Sequence, residues 1–131
     1  MKPIAIGFVG RYSVVPEYLH SAEAVGNKGV LVVSTPHLIG FLEMAAHTAL
    51  MRHFEAGESS VGTRVSVEHL AAAALGRSVE CEAVVKEVRG NRVEFEVRAR
   101  QDGRDIMRGT HGRAVILLEP FLARLRAAGM G

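Results

Sequence analysis

Ser34-Thr35-Pro36-His37-Leu38-Ile39-Gly40-Phe41-Leu42-Glu43-Met44-Ala45-Ala46-His47-Thr48-Ala49-Leu50-Met51 is the stretch whose reading decides the fold. Ser34 and Thr35 are N-cap residue types, and Pro36 suits the first helical position. The spacing predicts a helix from about Pro36 to His53 that stops near Gly57. Its apolar side chains spread around most of the circumference, the pattern of a buried helix. One carboxylate, Glu43, interrupts them. A buried charge is costly unless it is paired or protonated. Gly40, Glu43 and His47 stand at i, i+3 and i+7 and therefore share one stripe, which Gly40 leaves open. The stripe reads as the wall of a site.

Outward from the helix the period changes. Residues 4 to 15 are apolar and β-branched enough for an early strand or arm, and Pro16-Glu17 can start a helical turn. Val30 to Val33 reads as a short strand leading into the helix. Thr63 to Leu70 alternates, with Val65, Val67 and His69 on one face. Ser78 to Val88 alternates through Val79, Cys81 and Ala83, then loses phase at Val84-Val85, a bulge signal. Arg89-Gly90-Asn91-Arg92 is a turn. Val93, Phe95, Val97 and Ala99 alternate with charged residues, as in a strand with one wet face. Gln101-Asp102-Gly103-Arg104 is a hairpin signal. Asp105 to Leu118 is a further strand, long enough to bend, and Pro120 to Ala128 a short amphipathic helix. Ala71 to Leu75 is taken as an extended connection despite its helix propensity. One long helix must cover one face of several antiparallel strands. The fold class is therefore α+β, a curved antiparallel sheet wrapped around one long central helix.

The chain has 131 residues, 48% hydrophobic and 23% charged, as expected for one globular domain spanning 1–131. A net charge of +2, no Trp and scattered basic residues argue against nucleic acid as a partner. No apolar run reaches the length of a membrane span, and no signal peptide opens the chain, so a cytoplasmic location is expected. The lone Cys81 can form no intrachain disulfide.

Taken together, these residues resemble the hot-dog-fold acyl-CoA thioesterases, most of all the fluoroacetyl-CoA thioesterase-like branch. The resemblance covers nearly the whole chain. It is carried by Ser34-Thr35-Pro36 through Glu43-Met44-Ala45-Ala46, by Gly57-Glu58-Ser59-Ser60-Val61-Gly62-Thr63 through Glu68-His69, and by Gly109-Thr110-His111-Gly112-Arg113-Ala114-Val115. The family's Thr, Glu and His, at intervals of eight and twenty-six residues, match Thr35, Glu43 and His69. Its glycine before the His strand matches Gly62, and its last-strand arginine matches Arg113.

The resemblance implies hydrolysis of a short-chain acyl-CoA thioester in a homodimer or tetramer, with CoA lying in a groove between subunits. It implies Thr35, Glu43 and His69 as the catalytic set and Gly62 and Arg113 as substrate-binding residues. No cofactor is expected beyond the CoA of the substrate. Thioester hydrolysis needs an activated water or nucleophile, an acid for the leaving thiolate and donors for the oxyanion. Glu43 can serve as general base or as nucleophile. His69 can shuttle a proton or polarise Thr35, and the helix N-terminus can face an oxyanion. Arg113 can hold Glu43 or contact CoA. The branch's fluorine selectivity goes with aromatic lid residues, whereas Gly26-Asn27-Lys28-Gly29-Val30 has none; a general short-chain acyl-CoA is the expected substrate.

Each residue also has a plainer reading. Thr35 can be a cap, Gly62 a turn residue, Arg113 a structural ion-pair partner and His69 a satisfied strand histidine. His37, His47, His53 and His111 invite a metal, but no third ligand accompanies His47 and Glu43, so no metal is expected. Cys81 reads as a small buried apolar residue. The alternative function is an acyl-CoA-binding or sensing module without turnover. A weaker one is an enoyl-thioester hydratase, because fold does not fix function.

Overall fold

The computed structural model describes residues 1–131. Its elements run β1 (Val9–Val14), a 3-10 turn at Tyr18–His20, α1 (Thr35–Met51), β2 (Glu58–His69), β3 (Val79–Arg89), β4 (Arg92–Gln101), β5 (Arg104–Leu117) and α2 (Leu118–Ala127). The strands form one antiparallel sheet in the order β1-β3-β4-β5-β2. The expected architecture, a curved sheet wrapped around one long helix, is the observed one.

The sheet follows from turn chemistry and alternation. Gly90-Asn91 and Asp102-Gly103 close two-residue hairpins, with Asp102 and Gly103 both at positive φ (52° and 76°). Val79, Cys81, Ala83 and Val85 on β3, and Val93, Phe95, Val97 and Ala99 on β4, are buried on the concave face. The register slips between Val85 and Glu87, one residue beyond the expected loss of phase. Burial pushes the Cys81 thiol up to about 12, in keeping with a small apolar core residue.

The concave face receives Leu38, Leu42, Ala45, Ala46, Ala49 and Leu50 of α1. Close approach depends on small residues on both sides. A Cβ at Gly10 would run into the Ala45 carbonyl and lie 2.7 Å from the Ala49 Cβ. On the outer face, Arg98 pairs with Glu82 at 2.8 Å, Arg64 with Glu94 at 2.6 Å and Arg100 with Asp105 at 3.0 Å. The wet face of β4 thus meets oppositely charged side chains on its neighbouring strands.

Three expectations are corrected. Val30 to Val33 forms no strand, only the isolated bridges Ser21↔Val33 and Val32↔Ala74. The Val65–Val67–His69 face of β2 is not sealed: Val65 and His69 are exposed, because β2 is the last strand of the sheet and α1 covers little of it. Nor is α1 buried all round. Met44 and Met51 are exposed and the Glu43 side chain keeps 41% of its surface, because the sheet curls over one side of the helix only.

Candidate active site

The N-terminus of α1 and the end of β2 meet. Thr35 opens the helix after Ser34, whose Oγ accepts the His37 backbone N–H. Thr35 Oγ1 lies 2.8 Å from His69 Nδ1, which can accept the hydroxyl proton or, in the other tautomer, donate to the hydroxyl oxygen. The helix end itself has few donors to spare. Ser34 N–H is taken by the His20 carbonyl, Pro36 has none, and His37 N–H is capped. Of the donors at this end, the Thr35 N–H remains for an oxyanion, a narrower provision than a free helix terminus offers.

Two turns further along α1, Glu43 faces the root of β2 and β5. Arg113 Nη1 donates to Glu43 Oε2 at 3.3 Å. Gly62 makes this possible, since a Cβ there would collide with that same Oε2 and sit 3.4 Å from His111. A bulge follows at once, where the β2–β5 register shifts between Gly62 and Arg64.

Arg113, nearly buried, is held on every side. Its Nε donates to Ser60 Oγ at 2.9 Å, its Nη2 to the Ser60 carbonyl at 3.1 Å, and its Nη1 to His111 Nε2 at 3.2 Å. His111 Nδ1 lies 2.8 Å from the Arg64 carbonyl and must carry the ring proton, which leaves Nε2 as acceptor. His111 Nε2 and Glu43 Oε2, 3.8 Å apart, are both acceptors and do not bond; the guanidinium stands between them. Burial, and to a lesser degree the Arg113 charge, holds the His111 ring below its ordinary pKa and so neutral. Burial also lowers Arg113, with the Glu43 charge acting against it. Arg113 keeps its proton regardless.

Ser60 Oγ continues the chain of contacts to His47 Nδ1 at 2.7 Å. His47 is also lowered, first by burial and then by the Arg113 charge. Gly40, Glu43, Met44, His47, Ser60 and Arg113 line an open cleft of about 320 Å³. Gly40 has nothing within 4 Å of where its Cβ would be, so no packing inside the chain requires glycine there. In mid-helix it costs about 1 kcal/mol relative to alanine.

The five sequence-derived site residues thus fall into two groups. Thr35 contacts His69, and Glu43 contacts Arg113 beside Gly62. Eight residues of helix separate the groups, about 12 Å along the axis, so one chain does not assemble a single triad. Sequence reasoning missed Ser60 as a member of the site and weighed His111 only as one of four histidines that could invite a metal. The signal was available: His111 shares a strand face with Arg113, and Ser60 with Gly62, each two residues apart.

Residues 16–119 match the family described as fluoroacetyl-CoA-specific thioesterase. A fluoroacetyl-CoA thioesterase of Streptantibioticus cattleyicolor is 39% identical over 95 residues, 72% of this chain and 68% of that protein. A solved fluoroacetyl-CoA thioesterase superposes with a TM-score of 0.89 at 29% identity, over 96% of this chain and 98% of the other. A thioesterase superfamily member of Thermus thermophilus gives 0.90 at 26% identity, over 98% and 96% of the two chains.

Proposed function

This chain belongs to the fluoroacetyl-CoA-specific thioesterase family, and from that premise we propose how it works and on what. It is a hot-dog-fold hydrolase of acyl-CoA thioesters; the family's chemistry favours turnover over a binding or sensing module. The substrate we assign is a short-chain acyl-CoA. The segment from Gly26 to Val30 carries no aromatic side chain to close over a two-carbon acyl group, and it lies exposed.

The observation that carries the mechanism is the held carboxylate. Arg113 fixes one oxygen of Glu43, and the other has no partner. In our reading that carboxylate takes the proton of an attacking water, and Arg113 keeps it aimed. With His69 Nδ1–H donating to the Thr35 oxygen, the Thr35 hydroxyl proton and the Thr35 N–H are both turned to the oxyanion. The proton that Glu43 took from water is returned through His69 Nε2 to the departing CoA thiolate, which leaves both groups as they began. Gly62 and Arg113 shape the floor of the substrate site.

Because the Thr35–His69 and Glu43–Arg113 groups are about 12 Å apart along α1, the proposal requires a second copy. In a two-fold homodimer, Glu43 of one chain meets Thr35 and His69 of its partner. Support comes from the unpaired outer edge of β2, the exposed Val65, and the open stripe with Met44 and Met51. We further propose that residues 1–131 act as one domain, without a cofactor and in the cytoplasm. No helix is long and apolar enough to cross a membrane.

The test is release of CoA thiol from a panel of acyl-CoAs, read with a thiol-trapping dye. We expect cleavage by the wild type, loss with Glu43→Gln, and loss with His69→Ala while CoA binding persists. Mixing Glu43→Gln with His69→Ala subunits should restore part of the activity through hybrid sites. Full activity in Glu43→Gln would remove the carboxylate from the mechanism. Full activity in a monodisperse monomer would remove the shared site.

A further inference from the structure

His47 stands one helical turn beyond Glu43 on the same cleft and has no role in the mechanism above. Ser60 explains its protonation. The serine oxygen accepts from Arg113 Nε, so its own proton needs an acceptor, and His47 Nδ1 lies 2.7 Å away. With Nδ1 accepting, the neutral ring carries its proton on Nε2. That N–H has no partner in the chain, and it is not among the buried unpaired atoms, so it is reachable from the cleft. The Phe54 ring packs edge-on against the imidazole at 5.7 Å and helps hold its orientation.

Gly40 is the second observation. It lines the same cleft one turn before Glu43, its Cβ position is empty, and nothing inside the chain accounts for it. A helix that gives up stability for an unfilled space has kept the space for something that enters it. With one apolar liner, Met44, the cleft is poorly suited to a plain alkyl chain. Glu43 on the same wall disfavours a second carboxylate.

We propose that this cleft is the acyl subsite, and that His47 Nε2–H selects short acyl groups bearing a neutral oxygen, a hydroxyl or keto group, one or two carbons from the thioester carbonyl. The spacing fits. Side chains at i and i+4 lie about 5–6 Å apart at their Cβ atoms. A carbonyl attacked beside Glu43 therefore places its second or third acyl carbon opposite His47. The inference rests on the thioesterase reading of Glu43 and adds the identity of the acyl group. Burial and the Arg113 charge favour the neutral ring, so Nδ1 stays an acceptor for Ser60 and the one ring proton stays on Nε2.

The experiment compares kcat/KM for matched pairs, propionyl-CoA against 3-hydroxypropionyl-CoA and acetyl-CoA against glycolyl-CoA, in wild type, His47→Leu, His47→Gln and Gly40→Ala. Wild type should prefer the oxygenated member of at least one pair. His47→Leu should lose that preference by about 3- to 10-fold, the range of one neutral hydrogen bond, over and above whatever it loses toward the plain member of each pair. His47→Gln, which can offer an N–H, should recover part of it. Gly40→Ala should raise the Tm yet lower kcat/KM, most for the three-carbon substrates. An unchanged preference in His47→Leu overturns the proposal. So does a Gly40→Ala variant whose only change is a shifted dimer equilibrium, which would assign the space to the second subunit. If wild type cleaves none of the four esters but cleaves others, the acyl assignment fails and the thioesterase reading stands. If it cleaves no acyl-CoA at all, the thioesterase reading fails.

Discussion

On one face of α1, Leu38, Leu42, Ala45 and Ala49 are sealed against β1, β3 and β4; on the other, Gly40, Glu43, Met44 and His47 stand open. The sealed face is governed by volume. Its residues are apolar, and they become small where Gly10 lets β1 come close. The open face holds what packing never asks for: a mid-helix glycine, a carboxylate and a histidine. If the proposed mechanism holds, stability and chemistry lie on opposite sides of the same seventeen-residue element, and substitutions on the two sides should separate cleanly.

The sharpest break would come at Glu43. Glu43→Gln should lower kcat by about 100- to 10,000-fold, a loss of about 3–5 kcal/mol of transition-state stabilisation, with a Tm close to wild type because the side chain is 41% exposed. A large Tm drop would mean that the open face is structural after all. Leu42→Ala tests the sealed side one residue earlier. It should cost about 2–5 kcal/mol in urea unfolding, with the activity per folded molecule kept. Gly10→Ala is a smaller version of the same test. Overpacking against Ala45 and Ala49 should cost about 1–3 kcal/mol, again without a specific loss of kcat.

The sequence was readable where a local rule sufficed. Turn pairs marked both hairpins, period-two alternation marked the inner faces of β3 and β4, and a Ser-Thr-Pro start marked α1. It misled where the answer depended on an element's place in the sheet. Val65 and His69 alternate correctly, but β2 lies at the edge and nothing covers that face. Glu43 reads as buried because helix periodicity describes the helix and not how far the sheet curls around it. The contacts of Thr35 with His69 and of Glu43 with Arg113 were each open options in the sequence, but the family resemblance gathered Thr35, Glu43 and His69 as one set, and only the tertiary structure separates them. Alternation puts Ser60 on the face of Gly62, but its part in filling the gap between Arg113 and His47 is tertiary, and no pattern within β2 records it.

The smallest effect expected is also the one that reaches across both faces, because Arg113 lies beneath the open stripe yet is nearly buried. His111 and His47 both have their pKa lowered in the folded chain from an ordinary value of 6.5, chiefly by burial. In the unfolded chain each takes up a proton as the pH falls through about 6.5, while in the folded chain each resists until lower pH. Between those points the unfolded state binds more protons, so stability is fully present above 6.5 and declines as the pH drops below it. Thermal unfolding from pH 7.5 to 5.0 should therefore show a falling Tm. His111→Gln should flatten that slope even as it lowers the Tm at neutral pH, because the glutamine carries no charge to be suppressed but fits the Arg64 carbonyl and Arg113 less well. His47→Gln should flatten it less, because His47 is the less buried of the two rings. If neither substitution changes the slope, the loss on acidification belongs to carboxylates elsewhere, and the burial at the Arg113 network does not control the protonation of its histidines.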